Sequence, residues 1–193
     1  MPDLADWRDE DEVYQPAEDT RLLAEATQDT VEADDRVLDV GTGSGFVGAV
    51  AAEAGARVVG VDINPHACRQ ARGQGLPVVR GDLTDPFHDG TFDTVLFNPP
   101  YLPTPPEVEG DDWQERALSG GEDGRRVIEP FLDDVGRVLA PGGVVLLLVS
   151  SLSGIEAVTD SAADRGLRST EVAAEKHSFE RLVVLRLTPE PSG

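Results

Sequence analysis

Five apolar runs recur along the chain, with helix-compatible segments between most of them. "RVLDVG" (36–41), "ARVVGVD" (56–62), "LPVVRGD" (76–82), "TFDTVLFN" (91–98) and "GGVVLLLVS" (142–150) are rich in Val and Leu and lack a polar alternation. Runs of that kind read as strands covered on both faces, the habit of parallel sheets. "GFVGAVAAEAG", "NPHACRQARG" and "EDGRRVIEPFLDDVGRVLA" (122–140) read as helices, the last despite Pro130. Parallel neighbours need a crossover, so this alternation predicts a doubly wound α/β sheet. After the helical "SGIEAVTDSAADRG", the segments "LRSTEVAAEKH" and "ERLVVLRL" follow each other with no helix between them and predict an antiparallel hairpin that closes a seven-stranded, Rossmann-like sheet. "PAEDTRLLAEATQ" carries a proline, early acids and Leu22, Leu23 and Ala26 at helical spacing, predicting a helix over 18–30. Residues 1–12 read as a charged, mobile stretch, and the whole of 1–193 as one domain.

A sheet of this class binds its ligand at the carboxyl ends of the strands, and the distinctive residues fall there. Gly41, Gly43 and Gly45 follow the first strand, where glycine permits a tight turn and close backbone approach. Their spacing departs from the dinucleotide fingerprint, and Asp39 precedes them inside the strand, which suits a cationic ligand group better than a pyrophosphate. Alone, the glycines fit a nucleotide site or a plain turn equally well. Asp62 ends the second strand about twenty residues on, where an acid can accept both ribose hydroxyls. Asp82 and Leu83 end the third, placed for an adenine amino group and ring face, although a solvated loop carboxylate is an even alternative for Asp82 alone. Acids at three successive strand ends argue against coincidence.

Charge narrows the function further. With 37 acidic and 16 basic residues the formal charge is −21, and Lys176 is the one lysine. No basic footprint exists for direct nucleic-acid binding. An acid-rich surface nearly devoid of lysine stays hydrated in concentrated salt and resembles that of halophilic archaeal proteins. Cys68 is the single cysteine and reads as a small buried apolar residue, while His66, His88 and His177 lack metal-ligand spacing, so no metal is expected. Neither a signal peptide nor a membrane-length apolar run is visible, and a cytoplasmic location is expected.

A ligand with a cationic amino-acid part, a ribose and an adenine but no phosphate is S-adenosylmethionine. "VLDVGTGSG", "VDINPHA", "GDL" and "NPPY" (98–101), in that order, resemble a class I methyltransferase whose last motif marks methylation of planar amide or amine nitrogens. An amide nitrogen is a poor nucleophile because its lone pair is delocalised, so a site must hold that lone pair toward the methyl donor. The Asn98 side-chain oxygen and the Pro99 carbonyl are candidates to accept the two amide hydrogens, with Pro100 stiffening the turn and Tyr101 packing on the planar group. The opening "VYQPAEDTRLL" and the later "SGGEDGRRVIEPFL" resemble HemK-type protein glutamine methyltransferases of the archaeal and eukaryotic branch, from Val13 to Leu187.

The resemblance implies that Thr20 contacts the cofactor from the N-terminal helix segment (13–30), that Asp39 and Gly41 line its methionine end, Asp62 its ribose, Asp82 and Leu83 its adenine, and that Asn98 to Tyr101 hold the substrate amide. Without it, Thr20 would read as a helix-start hydroxyl bonded to its own backbone. Family members commonly carry Glu where this chain has Gln15. The implied substrate is the glutamine of the Gly-Gly-Gln motif in a class 1 release factor, and the implied partner is a small zinc-binding methyltransferase activator that adds a strand to the sheet, here at the edge strand 76–80 of an order 3-2-1-4-5-7-6. Competing readings are N-methylation of adenine or guanine in nucleic acid, methylation of a protein lysine, and a cofactor-binding subunit that scaffolds a partner.

Overall fold

A computed structural model describes Val13, residues 17–105, Glu107 and residues 113–190. The expectations for residues 1–12, for Gln15 and for the middle of the 103–121 loop lie outside the described residues. In chain order the elements are α1 (Glu18–Thr30), β1 (Arg36–Val40), α2 (Phe46–Glu53), β2 (Arg57–Asp62), α3 (Pro65–Gly73), β3 (Val78–Arg80), β4 (Phe92–Phe97), α4 (Trp113–Leu118), α5 (Ile128–Val138), β5 (Leu139–Ser150), α6 (Ile155–Asp164), β6 (Leu167–Lys176) and β7 (Arg181–Pro189). They build one seven-stranded sheet in the order β3-β2-β1-β4-β5-β7-β6. β1 to β5 pair in parallel, whereas β7 is antiparallel to both β5 and β6.

The sheet is covered on both faces, as continuous apolar strands require. β5 demonstrates it by its period of two. Leu146 and Leu148 pack with Leu22 and Leu23 of α1 and Phe46 and Val50 of α2. Val145, Leu147 and Val149 point the other way, into Ile128, Phe131 and Val135 of α5 and Val158 and Ala162 of α6. Each fully buried Leu or Phe here stabilises by roughly 1.5–3 kcal/mol. Cys68 joins the first of these clusters, 2% exposed, as its setting predicts.

Several boundaries depart from expectation for local reasons. The predicted helix over 122–140 begins at Ile128, which puts Pro130 in its first turn, where a missing N–H costs nothing. Residues 122–127 form a turn instead, with Gly124 at φ +77°. β3 has three residues rather than the seven of 76–82. β5 starts at Leu139 instead of 142, Leu139 pairing with Phe92 before a register irregularity that precedes Thr94. The loop between Pro99 and Gly121 contains α4 and a bridge between Leu102 and Ser119. Among the described residues, no helix is long and apolar enough to cross a membrane.

Candidate active site

β1 ends in a buried carboxylate. Asp39, 3% exposed, accepts a hydrogen bond from Thr42 Oγ1 at 2.6 Å and from the Gly48 N–H at 3.1 Å, both on Oδ2. The glycine loop therefore folds back over its own strand, and the first turn of α2 is tied to Asp39. A Cβ on Gly48 would stand 2.9 Å from that same oxygen. Burial pushes the Asp39 carboxyl up to about 6; the Thr42 and Gly48 bonds oppose the rise and the neighbouring Asp62 charge adds to it.

Asp62, at the end of β2, grips the loop from the other side. Its Oδ2 accepts from the Gly43 N–H at 2.9 Å and its Oδ1 from the Asn64 N–H at 2.8 Å. Desolvation raises its pKa, against the backbone N–H groups of Asn64, Gly43 and Ile63, which lower it. Asn64 in turn caps α3, accepting from the His66 N–H at 2.8 Å just before Pro65 at the first helical position.

Between these strand ends lies a cavity of about 590 Å³, within the size range of small-molecule sites. Thr20, Asp39, Gly41, Gly43, Asp62, Asp82, Leu83, Asn98 and Pro100 all line it. Gly45, Pro99 and Tyr101 do not. Gly45 instead sits at φ +88° as the N-cap of α2, where a Cβ would stand 2.8 Å from Leu76 Cδ1 and 3.0 Å from Ala71 Cβ, so its smallness serves helix packing. Asp82 is exposed, and Leu83 takes a left-handed backbone with φ +43°, a strained conformation for a residue with a Cβ that turns its side chain onto the cavity wall.

The "NPPY" stretch directly follows β4. Phe97, 1% exposed, leans on Phe131 with ring centroids 4.5 Å apart and so fixes the strand end from beneath. Next to it, the Asn98 Nδ2 donates to Asp19 Oδ2 at 3.1 Å and approaches Thr20 Oγ1 at 3.5 Å. Its Oδ1 is buried and has no hydrogen-bond partner among the described residues. Pro99 and Tyr101 line an adjacent recess of about 30 Å³ together with Asp19, Asn98 and Leu102.

The chain leaving the motif is clamped by the segment beyond α4. Leu102 N–H donates to Leu118 O at 3.0 Å, Gly120 N–H to Leu102 O at 2.9 Å and Thr104 N–H to Gly121 O at 2.8 Å. Gly124 approaches so closely that a Cβ would lie 2.5 Å from Tyr101 O. The similarity of "SGGEDGRRVIEPFL" to its family segment thus has a physical content: its glycines let one loop press on the other.

Sequence reasoning missed several members of the site. Asp19, 4% exposed, looked like one of two helix-start acids. Trp113 and Arg116 line the cavity from a region without periodicity, and Arg126 from the turn at 122–127 where a helix was expected. Thr42 was readable as a hydroxyl three residues after a strand acid, the spacing at which it now bonds Asp39. Chemically, the cavity combines the buried Asp39 and the half-buried Asp62 carboxylates at one end with Asn98, whose amide oxygen has no partner among the described residues, at the other, and the glycine loop contributes no cation. That donor set suits S-adenosylmethionine, whose ribose and ammonium groups seek acceptors and which has no phosphate to neutralise.

Comparisons with known proteins agree with this geometry. A methyltransferase-domain family matches residues 38–99. A protein of Methanocaldococcus jannaschii assigned to the protein N5-glutamine methyltransferases is 37% identical over 181 residues, covering 90% of each chain. The mouse methyltransferase HEMK2 is 34% identical over 192 residues, covering 92% of this chain and 90% of its own. Among solved structures, the E. cuniculi Mtq2–Trm112 complex, responsible for methylation of the eRF1 translation termination factor, aligns with a TM-score of 0.77 at 28% identity, covering 93% of this chain and 99% of that one. With this extent of similarity, a seven-stranded sheet whose order matches the expected one and a cavity at its strand ends, the chain belongs to the HemK-type protein N5-glutamine methyltransferases and is an S-adenosylmethionine-dependent enzyme.

Proposed function

We propose that the chain methylates the side-chain amide nitrogen of a glutamine, that of the Gly-Gly-Gln motif in a class 1 release factor. The observation that carries this reading is Asn98 Oδ1, buried and without a hydrogen-bond partner among the described residues, on a side chain that lines the cavity. An orphaned buried acceptor is costly unless something completes it, and a primary amide offers the N–H it lacks.

S-adenosylmethionine, when bound, supplies an electrophilic methyl group on a sulfonium. Asp39, Gly41, Gly43 and Thr20 are the residues proposed to hold its amino-acid end, Asp62 its ribose, and Asp82 with Leu83 its adenine; all line one cavity. Asn98 Oδ1 and the Pro99 carbonyl accept the two amide N–H groups, which fixes the plane of the amide and leaves the nitrogen lone pair no freedom to turn away. Pro99 and Pro100 keep that turn rigid, and Tyr101 walls the adjoining recess against the substrate side chain. No base is needed at the outset: only after methylation is the nitrogen acidic, and its proton then passes to water. Positioning and fixed dipoles thus carry the rate.

A small activator of the Trm112 kind is the proposed partner, by analogy with the related complex. β3 is a three-residue edge strand with Val79 37% exposed, the kind of edge to which a strand can be added. Arg72 already caps the Val78 carbonyl at 2.7 Å, so added pairing has to displace or work around that contact. Scanning the edge tests the interface: Val79→Asp is expected to abolish co-purification with the activator while leaving the isolated fold unchanged. Retained association would place the partner elsewhere. For the reaction itself, Asn98→Ala is expected to stop transfer to the release factor with cofactor affinity kept, and undiminished turnover would remove the proposed role.

A further inference from the structure

A carboxamide can be turned over by 180°, which exchanges the places of its oxygen and its nitrogen. Asn98 Oδ1 can serve as the amide acceptor only if something prevents the side chain from flipping and offering Nδ2 instead. The neighbours decide this. Asp19 Oδ2 lies 3.1 Å from Asn98 Nδ2, while Asp19 Oδ1 accepts from the Thr20 N–H at 2.7 Å and from Thr20 Oγ1 at 3.4 Å. An ionised carboxylate has no proton to donate, so it pairs with the amide nitrogen of Asn98 and never with its oxygen. Were Asn98 to flip, two acceptors would face each other in a site where Asp19 is 4% exposed. Being charge-assisted, the bond is among the stronger kinds.

Resting on the glutamine reading above, we propose that Asp19 is a positioning residue that locks the Asn98 carboxamide with its oxygen toward the substrate, and that α1 exists in part to deliver this lock. The geometry of α1 fits the task. Leu22, Leu23 and Ala26 bury one face of the helix against the sheet, and His177 Nδ1 lies 3.1 Å from Glu18 Oε2, tying its first turn to the end of β6. The carboxylate that sets the amide orientation is therefore held by an element distinct from the strand that Asn98 follows. Thr20, in the same turn, lines the cavity, so the helix that closes over the cofactor also orients the group that selects the substrate.

Two readouts on the full-length chain test this. In ¹⁵N-edited NMR, the Asn98 side-chain NH₂ pair, assigned by its disappearance in Asn98→Ala, is expected to show one proton shifted downfield and slowed in solvent exchange, and Asp19→Ala is expected to remove both properties. In steady-state methylation of a release factor, Asp19→Ala is expected to lower kcat by about ten- to a hundredfold, the fold-change that the loss of one hydrogen bond to a charged group represents. KM and the affinity for S-adenosylhomocysteine should move by less than about threefold, because the lock concerns orientation and not binding. Asp19→Asn, whose carboxamide matches either face of Asn98, should fall between. Glu25→Gln, which removes an acid from the exposed face of the same helix, where it pairs with Arg21, should leave kcat unchanged and so exclude a general effect of helix charge. An unaltered Asn98 NH₂ signal in Asp19→Ala, or a loss of kcat matched by equal losses in cofactor affinity and melting temperature, would overturn the proposal. If the wild-type chain transfers no methyl group to glutamine, the substrate reading fails while the NMR arm still decides whether the lock exists.

Discussion

The two ends of the cavity are built on opposite principles. At the glycine-loop end, polar groups satisfy one another before any ligand arrives: Asp39 is bonded by Thr42 and Gly48, and Asp62 by Gly43 and Asn64. At the "NPPY" end, the polar group that matters is held by its nitrogen and left incomplete at its oxygen. The first arrangement makes a rigid cradle whose shape does not depend on the ligand. The second leaves one acceptor unpaired among the described residues, the one that the proposed reaction would have the substrate complete. Stability and catalysis should accordingly separate along the cavity, and substitutions can break that separation.

The largest expected effect lies at the incomplete end. Asn98→Ala removes the acceptor and should lower kcat by roughly 10²–10³-fold, the usual consequence of losing one preorganised polar group, while the lost bond to Asp19 costs about 1–3 kcal/mol of stability, less than the change expected at Gly45. A large loss of stability there would blur the contrast.

Gly45→Val makes the opposite test at the cradle. A branched side chain at φ +88°, with its Cβ 2.8 Å from Leu76 Cδ1, should destabilise the fold by about 3 kcal/mol or more. Denaturant titration reads it directly; a variant as stable as wild type would show that α2 can shift to make room.

Asp39 gives the comparison a pH axis. Its folded-state value is raised from 3.8 to about 6, so the folded chain binds a proton there more readily than the unfolded chain. The contribution of this group to stability is then full below about pH 3.8 and is lost as pH rises through about 6, a change of about 3 kcal/mol over that window. Asp39→Asn should remove this component, so the difference between variant and wild-type unfolding free energies should grow in favour of the variant from pH 4 to pH 7. A difference that is flat with pH would mean that Asp39 titrates alike in both states.

Thr42→Val should be the mildest change. It deletes the 2.6 Å bond to Asp39 and costs about 1–3 kcal/mol. Because that bond holds the carboxyl down, its loss should move the Asp39 transition to higher pH, visible as a shift in the same pH series.

How much of this was legible depended on whether a segment answered to local rules or to distant neighbours. α1 follows its proline, acids and leucine spacing closely, Glu18–Thr30, and β1, β2 and β4 fall within a residue of their apolar runs. Helix α5 was expected to start too early, because periodicity beyond Gly124 reads as helix while the actual turn at 122–127 is set by the contact of Gly124 with Tyr101 O. The carboxylates at the strand ends could be found because spacing from the glycines is a local property. Asp19 could not, since its role depends on Asn98, 79 residues away in sequence. The placement of Gly45 against Leu76 and Ala71 is likewise a tertiary fact that a glycine-rich string cannot announce.

The most direct test of the central claim is methyl transfer from radiolabelled S-adenosylmethionine in high salt, with and without a Trm112-type activator, offering an archaeal release factor, its Gly-Gly-Gln variant with Gln→Ala, and total RNA. The account predicts label on the wild-type factor alone, lost in Asn98→Ala. Label on RNA, or on both factors alike, would contradict the assignment of glutamine as the acceptor.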